Sequence, residues 1–503
     1  MNQSTQTDAA RLAAGRLIMV RLTCTTLDQD TAEFLRTHHI RAVCLFRNNM
    51  HDDAQLRTLT ADLRAVMGPE ALIGVDHEGG AVVRATWLPA PPAAMALGAT
   101  DDPALCYAVG AAAGRALRAL GFNWNFAPVL DLNNNPRNPV IAERSFGAAP
   151  QRATELALAW MAGCLSEGVS CCVKHFPGHG DTHVDSHRDL PQVDKSVAAL
   201  DALELAPFRA ALDAPAMMTA HIVYPALDAV YPATLSRPIL TDLLRRQWDY
   251  QGVVITDGMD MHAIAGRYGA GPAAVLALAA GADMVMALGS RASQCETLDS
   301  IATAYASGQL ASADIAAKLA RLDHLAQRYP CAGGHYDADA ADRRIMAGAW
   351  RRALTAYRTP QRPPAESKLR LVVRADVVSD GVSEAGVDAA TLCALLRRQF
   401  DVEAVTYDDQ DNFDWAALPR DDRFVILAST SRLRYGARAR ASWRPDLHLA
   451  LWNPFQAHDI KAPALITYGF AAPALEAVMA WLAGELDATG HCPIGEFEQG
   501  DDS

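Results

Sequence analysis

No apolar run in this 503-residue chain reaches the roughly 20 residues that cross a bilayer. The most apolar stretch, residues 273–288, is broken by Gly281 and Asp283. A basic run is also missing. Lys and Arg number 45 against 58 Asp and Glu, a net charge of −13, which argues against a nucleic-acid binder with its cationic patch. Cysteine is sparse at ten residues, none in a CxxC pair. That excludes a disulfide scaffold and predicts free, mostly buried thiols in a reducing compartment. The opening residues, MNQSTQTDAARLAAGRLIMV, contain no basic segment followed by a continuous apolar one, and the expectation is a cytoplasmic protein. No GxGxxG follows the first apolar run, which weakens a dinucleotide-binding sheet.

What is present is apolar mass and rhythm. Half the residues are hydrophobic and 20% are charged, enough for a large core. At roughly 150 residues per domain the length suggests two to four domains. From residue 17 to about 286, short apolar runs at 17–22, 42–46, 72–75, 126–129, 170–173, 216–220, 253–256 and 283–287 alternate with stretches of helical period. Continuous apolar strands separated by helices mean a parallel sheet covered on both faces. Eight of them predict an α/β fold with an N-terminal (β/α)8 TIM-type barrel, an open doubly wound sheet being the alternative. Just past the runs stand Arg47 and Asn48, Asp76, Asp131, Lys174 and His175, His221, and Asp257. A barrel builds its active site from such strand ends.

The barrel is assigned to residues 1–335. Residues 336–367 hold an alanine-rich charged helix (336–358) and a Pro-rich linker, TPQRPPAES. Beyond it, runs at 369–373, 402–406, 424–428, 447–451 and 465–467 and helical stretches at 388–398 and 472–486 predict a smaller C-terminal αβα sandwich over 368–503.

Chemistry concentrates in KHFPGHGDTHVDSH, residues 174–187. Its four histidines recur every four residues, the spacing of metal ligands on a helix, but Pro177, Gly178 and Gly180 would break that helix. A long loop is the better reading. Within it, Asp185 and His187 lie two apart and would point the same way in an extended backbone, so the carboxylate can fix and charge-stabilise the imidazole for proton transfer. A second segment, GVVITDGMDM, delivers Asp257 at the end of a buried strand, where a carboxylate suits attack on an anomeric carbon. Asp260 is read as a helix-start residue. A third, GVDHEGG, sets Asp76 at another strand end with Arg84 beyond it. A fourth, residues 123–146, is Asn- and Pro-rich and runs into Glu143, Arg144 and Ser145.

Together these motifs resemble glycoside hydrolase family 3, in particular its NagZ-type bacterial β-N-acetylglucosaminidases. The resemblance rests on VDHEGG (75–80), FAPVLDLNNNPRNPVIAERSF (126–146), KHFPGHGDTHVDSH (174–187), MTAHIVYPALD (218–228), PATLS (232–236) and VVITDGMDM (253–261). It implies a barrel and a retaining two-step mechanism, with Asp257 as nucleophile, His187 as general acid/base and Asp185 as its partner. It further implies that Asp76, Arg84, Arg144, Lys174 and His175 hold the sugar. The substrate implied is a terminal β-linked N-acetylglucosamine on peptidoglycan-derived muropeptides, with no metal or organic cofactor, no nucleic acid and no membrane. Two positions depart from the common pattern, Ala81 where Arg is frequent and Gly258 where Ala is frequent. The chain also continues past the barrel, as in two-domain members. Three other readings stay open on residues alone: a glycoside phosphorylase on the same scaffold, a metal-dependent hydrolase using the histidine row, and a carbohydrate-binding barrel without catalysis.

Overall fold

Eight strands close into a parallel barrel in the computed structural model, which describes residues 3–183, 190–364, 366–377, 383 and 386–494. Asp185 and His187 lie outside the described residues. The strands are β1 (Ile18–Arg21), β2 (Ala42–Cys44), β3 (Leu72–Val75), β4 (Trp124–Asn125), β5 (Ser170–Phe176), β6 (Ala216–Thr219), β7 (Val253–Gly258) and β8 (Met284–Ala287). Each pairs with the next, and β8 returns to β1 with Met19 opposite Met286. Their residues are buried almost without exception, which is why the runs read as continuously apolar instead of alternating.

The surrounding helices follow from spacing and caps. In Asp53–Met67, the Asp52 carboxylate accepts from the Gln55 amide at the N-terminus, and Gly68 ends the helix at φ 89°. Leu56, Leu59, Leu63 and Met67 form its buried stripe. Helices Pro103–Ala119 and Pro150–Ser166 press together through glycine. A Cβ on Gly110 would lie 2.0 Å from the Trp160 carbonyl oxygen, and one on Gly163 2.0 Å from that of Tyr107. Either Gly→Ala change would force the two helices apart.

A second sheet of six strands has the order β11-β10-β12-β13-β14-β9. Its members are β9 (Thr355–Tyr357), β10 (Lys368–Arg374), β11 (Asp401–Tyr407), β12 (Phe424–Ser429), β13 (Leu447–Ala450) and β14 (Ala464–Ile466). All pairings are parallel except that of β9 with β14. One face packs Leu392, Leu396, Val478 and Leu482 from two helices. The other packs Trp443, Tyr407 and Tyr435, so the sheet lies between two apolar layers. The two halves share a cluster in which Met95, Ala96 and Ala99 of the barrel meet Trp350, Ile466 and Tyr468.

Three local expectations are corrected. The fourth barrel strand lies at Trp124–Asn125, two residues ahead of the apolar run. Pro128 cannot donate to a ladder, whereas the Asn125 amide pairs with both the N–H and the C=O of His77 and so stands in for backbone pairing. β5 continues through Lys174 and His175 to Phe176 after a register shift, so these two residues sit on the strand and not in the loop. The predicted helix over 336–358 is a helix at Asp339–Ala353 followed by β9. Pairing with β14 overrides helical propensity at its end.

Candidate active site

Every barrel strand sends a residue to one cavity of about 210 Å3 at the C-terminal ends of the strands. Arg21 comes from β1, Phe46 from just after β2, and Asp76, Glu78 and Arg84 from beyond β3. Arg144 comes from the β4 loop, Lys174 and His175 from β5, Met218 from β6, Asp257 from β7, and Met286 from β8. Six of the residues singled out in the sequence (Asp76, Arg84, Arg144, Lys174, His175 and Asp257) therefore share one wall or another of a single cavity.

The centre of the cavity is a charge cluster. Lys174 Nζ donates to Asp76 Oδ1 at 2.7 Å and lies 2.5 Å from Glu78 Oε1. The Arg144 guanidinium grips Glu78 through Nε and an NH2 nitrogen, both at 2.8 Å. Arg84 approaches Asp76 at 3.7 Å. Burial pushes the Glu78 carboxyl up, but Arg144 and Lys174 outweigh it and hold the group well below the usual carboxylate range. Burial likewise disfavours the Lys174 ammonium, yet Asp76 and Glu78 keep it charged, with its pKa raised. The cluster thus presents fixed donors and acceptors to the cavity.

Behind it, Asp131 orients two histidines. Its Oδ2 meets His175 Nδ1 at 2.6 Å, and its Oδ1 accepts from the amides of His175 and His179 at 3.1 and 2.6 Å. Burial pushes the Asp131 carboxyl up, but His175 and His179 bring it below its ordinary value. With Nδ1 engaged, His175 turns Nε2 toward Arg144, 3.5 Å away. The His179 imidazole is pushed down to about 4, chiefly by burial and then by His175. His183 Nδ1 lies 3.2 Å from Asn135 Nδ2. Among the described residues, no three His, Cys, Asp or Glu side chains are grouped to hold a metal ion.

Asp257 occupies the last stretch of β7, where its Oδ1 accepts from the Gly258 amide at 2.8 Å. That turn is fixed from outside by His221, whose Nε2 lies 3.0 Å from the Gly258 oxygen while Nδ1 meets Thr234 Oγ1 at 2.8 Å. His221 is therefore a support for the strand end. Asp260 is not the cap of the following helix, whose N-cap is Met261; it lines the cavity instead. Arg47 turns away to donate to the Met50 oxygen.

Glu78, Arg21 and Phe46 complete the cavity without having been singled out from sequence, while Asp131, expected only as a strand-end residue, stands behind it. Glu78 stood inside the VDHEGG motif and Asp131 at a strand end. Arg21 and Phe46 read as strand residues, and only closure of the barrel turns them inward. The Arg21 guanidinium lies over the Phe46 ring, 5.2 Å from its centroid.

The model of the glycosyl hydrolase family 3 N-terminal domain matches residues 10–325. A protein named Beta-hexosaminidase A, from Pseudoalteromonas piscicida, is 36% identical over 62% of this chain, which spans 57% of that relative's length. A Beta-hexosaminidase from Chromobacterium violaceum is 42% identical over 51% of this chain and 74% of its own. A solved family 3 beta-N-acetylglucosaminidase from Paenibacillus sp. FPU-7 is 31% identical, with a TM-score of 0.85 over 96% of this chain and 98% of that one. With this match and an eight-stranded barrel of the same architecture, the chain belongs to glycosyl hydrolase family 3.

Proposed function

We propose that the protein is a retaining β-N-acetylglucosaminidase, releasing terminal non-reducing β-linked N-acetylglucosamine from peptidoglycan-derived muropeptides in the cytoplasm. The observation that carries this reading is the carboxylate of Asp257, set by the Gly258 amide at one side of a cavity that also contains the Asp76–Lys174–Glu78–Arg144 cluster. The hexosaminidase names of two relatives and the β-N-acetylglucosaminidase structure support the choice of sugar.

In the first step the Asp257 carboxylate attacks the anomeric carbon and the glycosidic oxygen leaves with a proton from His187, whose charge Asp185 stabilises. In the second, water attacks the glycosyl-enzyme, His187 takes its proton, and Asp257 departs. Most retaining glycosidases use two carboxyls about 5–5.5 Å apart for these roles. Here an imidazole–carboxylate pair replaces the second. Asp76, Arg84, Arg144, Lys174 and His175 hold the sugar hydroxyls, and Met218, Met286 and Val82 supply apolar surface.

The muropeptide aglycone draws support from Arg21. It lines the cavity and, in contrast to Lys174, Arg144 and Arg84, has no hydrogen bond or ion pair from its guanidinium to a described residue. A cation left for the ligand suits an acidic group on the aglycone.

The deciding experiment is trapping with a slow fluorinated N-acetylglucosaminyl inhibitor, followed by digestion and mass spectrometry. The label is expected on the peptide bearing Asp257. Attachment to another peptide, or turnover of aryl β-glucoside with none of aryl β-N-acetylglucosaminide, would overturn the reading.

A further inference from the structure

Residue 143 points the opposite way from its neighbour Arg144. Glu143 is 1% exposed, and its Oε1 accepts from Arg432 at 2.6 Å and from Trp452 Nε1 at 2.8 Å. The Arg432 guanidinium also lies over the Trp452 ring, 5.4 Å from its centroid. Arg432 follows β12 and Trp452 follows β13, so the socket for Glu143 stands at the C-terminal ends of two neighbouring strands of the second sheet. Its rim is braced from within: Asn453 Nδ2 donates to the Arg432 oxygen at 2.8 Å and Gln456 Nε2 to the Ser431 oxygen at 3.0 Å. A second hold lies on the same barrel loop. Arg434, clamped on Asp459 by two bonds of 2.6 Å, donates to the Pro136 oxygen at 2.5 Å.

The loop has need of such a hold. Arg144 ends a single 3-10 turn, Ala142–Arg144, whose first residue has φ 36°, a left-handed backbone that alanine adopts at a cost. Within the barrel the turn is tied at Ala142 by Asn133, at 2.8 Å. A buried ion pair such as Glu143–Arg432 is a weak source of net stability, because desolvation offsets its attraction; what it fixes well is geometry.

We propose that the second domain sets the position of Arg144, with Arg432 and Trp452 acting through Glu143 as positioning residues for the sugar-binding end of the cavity. The inference rests on the reading of Arg144 as a group that holds the sugar. On that basis the C-terminal half contributes to catalysis while lending no side chain to the cavity lining among the described residues.

The test is a pair of double-mutant cycles on the full chain, read as kcat/KM for an aryl β-N-acetylglucosaminide with the thermal midpoint measured alongside. Arg432→Met is expected to lower kcat/KM about 10-fold and Trp452→Phe about 3-fold. In an Arg144→Lys background, where the paired grip on Glu78 is already lost, both effects are expected to shrink below 2-fold. Equal losses in the two backgrounds would overturn the proposal and make the contact a general support of the fold. Unchanged kcat/KM in both single variants would overturn it as well. Trp452→Phe removes one hydrogen bond and no charge, so it carries the cycle alone if Arg432→Met does not fold. An Arg144→Lys variant with the parent kcat/KM would instead sink the sugar-binding reading of Arg144.

Discussion

Glu78 and Arg144 face each other through two parallel hydrogen bonds of 2.8 Å, and Lys174 closes on the same carboxylate at 2.5 Å. One buried anion thereby holds two cations in register, and Asp76 takes the remaining reach of the lysine. Glu78→Gln would leave Lys174 with Asp76 and Arg144 with no carboxylate in contact among the described residues. The expected result is a loss of about 3–5 kcal/mol in stability, with kcat/KM reduced by at least roughly 100-fold. Urea unfolding together with steady-state kinetics checks both. A Gln variant with parental stability and turnover would show that the cluster is ornamental to the site.

The acid/base role of His187 has a leaving-group signature. His187→Ala is expected to lose about 10^2–10^4-fold in rate on a substrate whose departing alcohol needs protonation, and far less on an activated aryl leaving group. Asp257→Ala should be inactive on both. Equal loss on the two substrates for the histidine variant would remove it from proton transfer.

Buried neutral histidines predict an acid-side weakness. His77 is 1% exposed, its imidazole is pushed down to about 4 by burial and then by Arg84, and neither ring nitrogen has a hydrogen-bond partner among the described residues. A folded-state value below the ordinary 6.5 means that the unfolded chain takes up the proton first as pH falls. Stability from this group is therefore complete above about pH 6.5 and drains away toward pH 4, to a total of about 3 kcal/mol. His77→Phe is expected to keep stability at pH 7 and to flatten the decline between pH 7 and 5. Urea midpoints at the two pH values decide it, and an unaltered decline would count against the assignment.

Hydrolysis and phosphorolysis differ in product. With water as the second nucleophile, release of free N-acetylglucosamine proceeds in phosphate-free buffer, and added phosphate produces no sugar-1-phosphate. Chromatography of both reactions checks this; a phosphate-dependent rate with sugar phosphate as product would reverse the assignment.

Much of this was legible before folding, for identifiable reasons. Buried parallel strands are apolar on both faces, so runs such as 72–75 and 253–256 declare themselves. Their polar successors, Asp76, Lys174 and Asp257, then fall where a barrel gathers its chemistry. Sequence and structure part where side chains replace backbone. β4 is Trp124–Asn125 because an asparagine amide does the pairing that a run of apolar residues was expected to do. β9 has the local sequence of a helix end, because its strand character comes from β14, more than a hundred residues away. Glu78 carries no local signal for a similar reason: adjacent residues past a strand end cannot be ranked until the cations opposite are known.

β9 lies ahead of the proline-rich stretch yet is woven into the sheet that follows it, and near the other end of the chain the Gly490 amide reaches the Leu354 oxygen while His491 reaches Ala99. The halves are interleaved like a mortise and tenon. A protease nick in the proline-rich stretch would sever the peptide without freeing either piece, and removal of everything ahead of that stretch would strip a border strand from what remained.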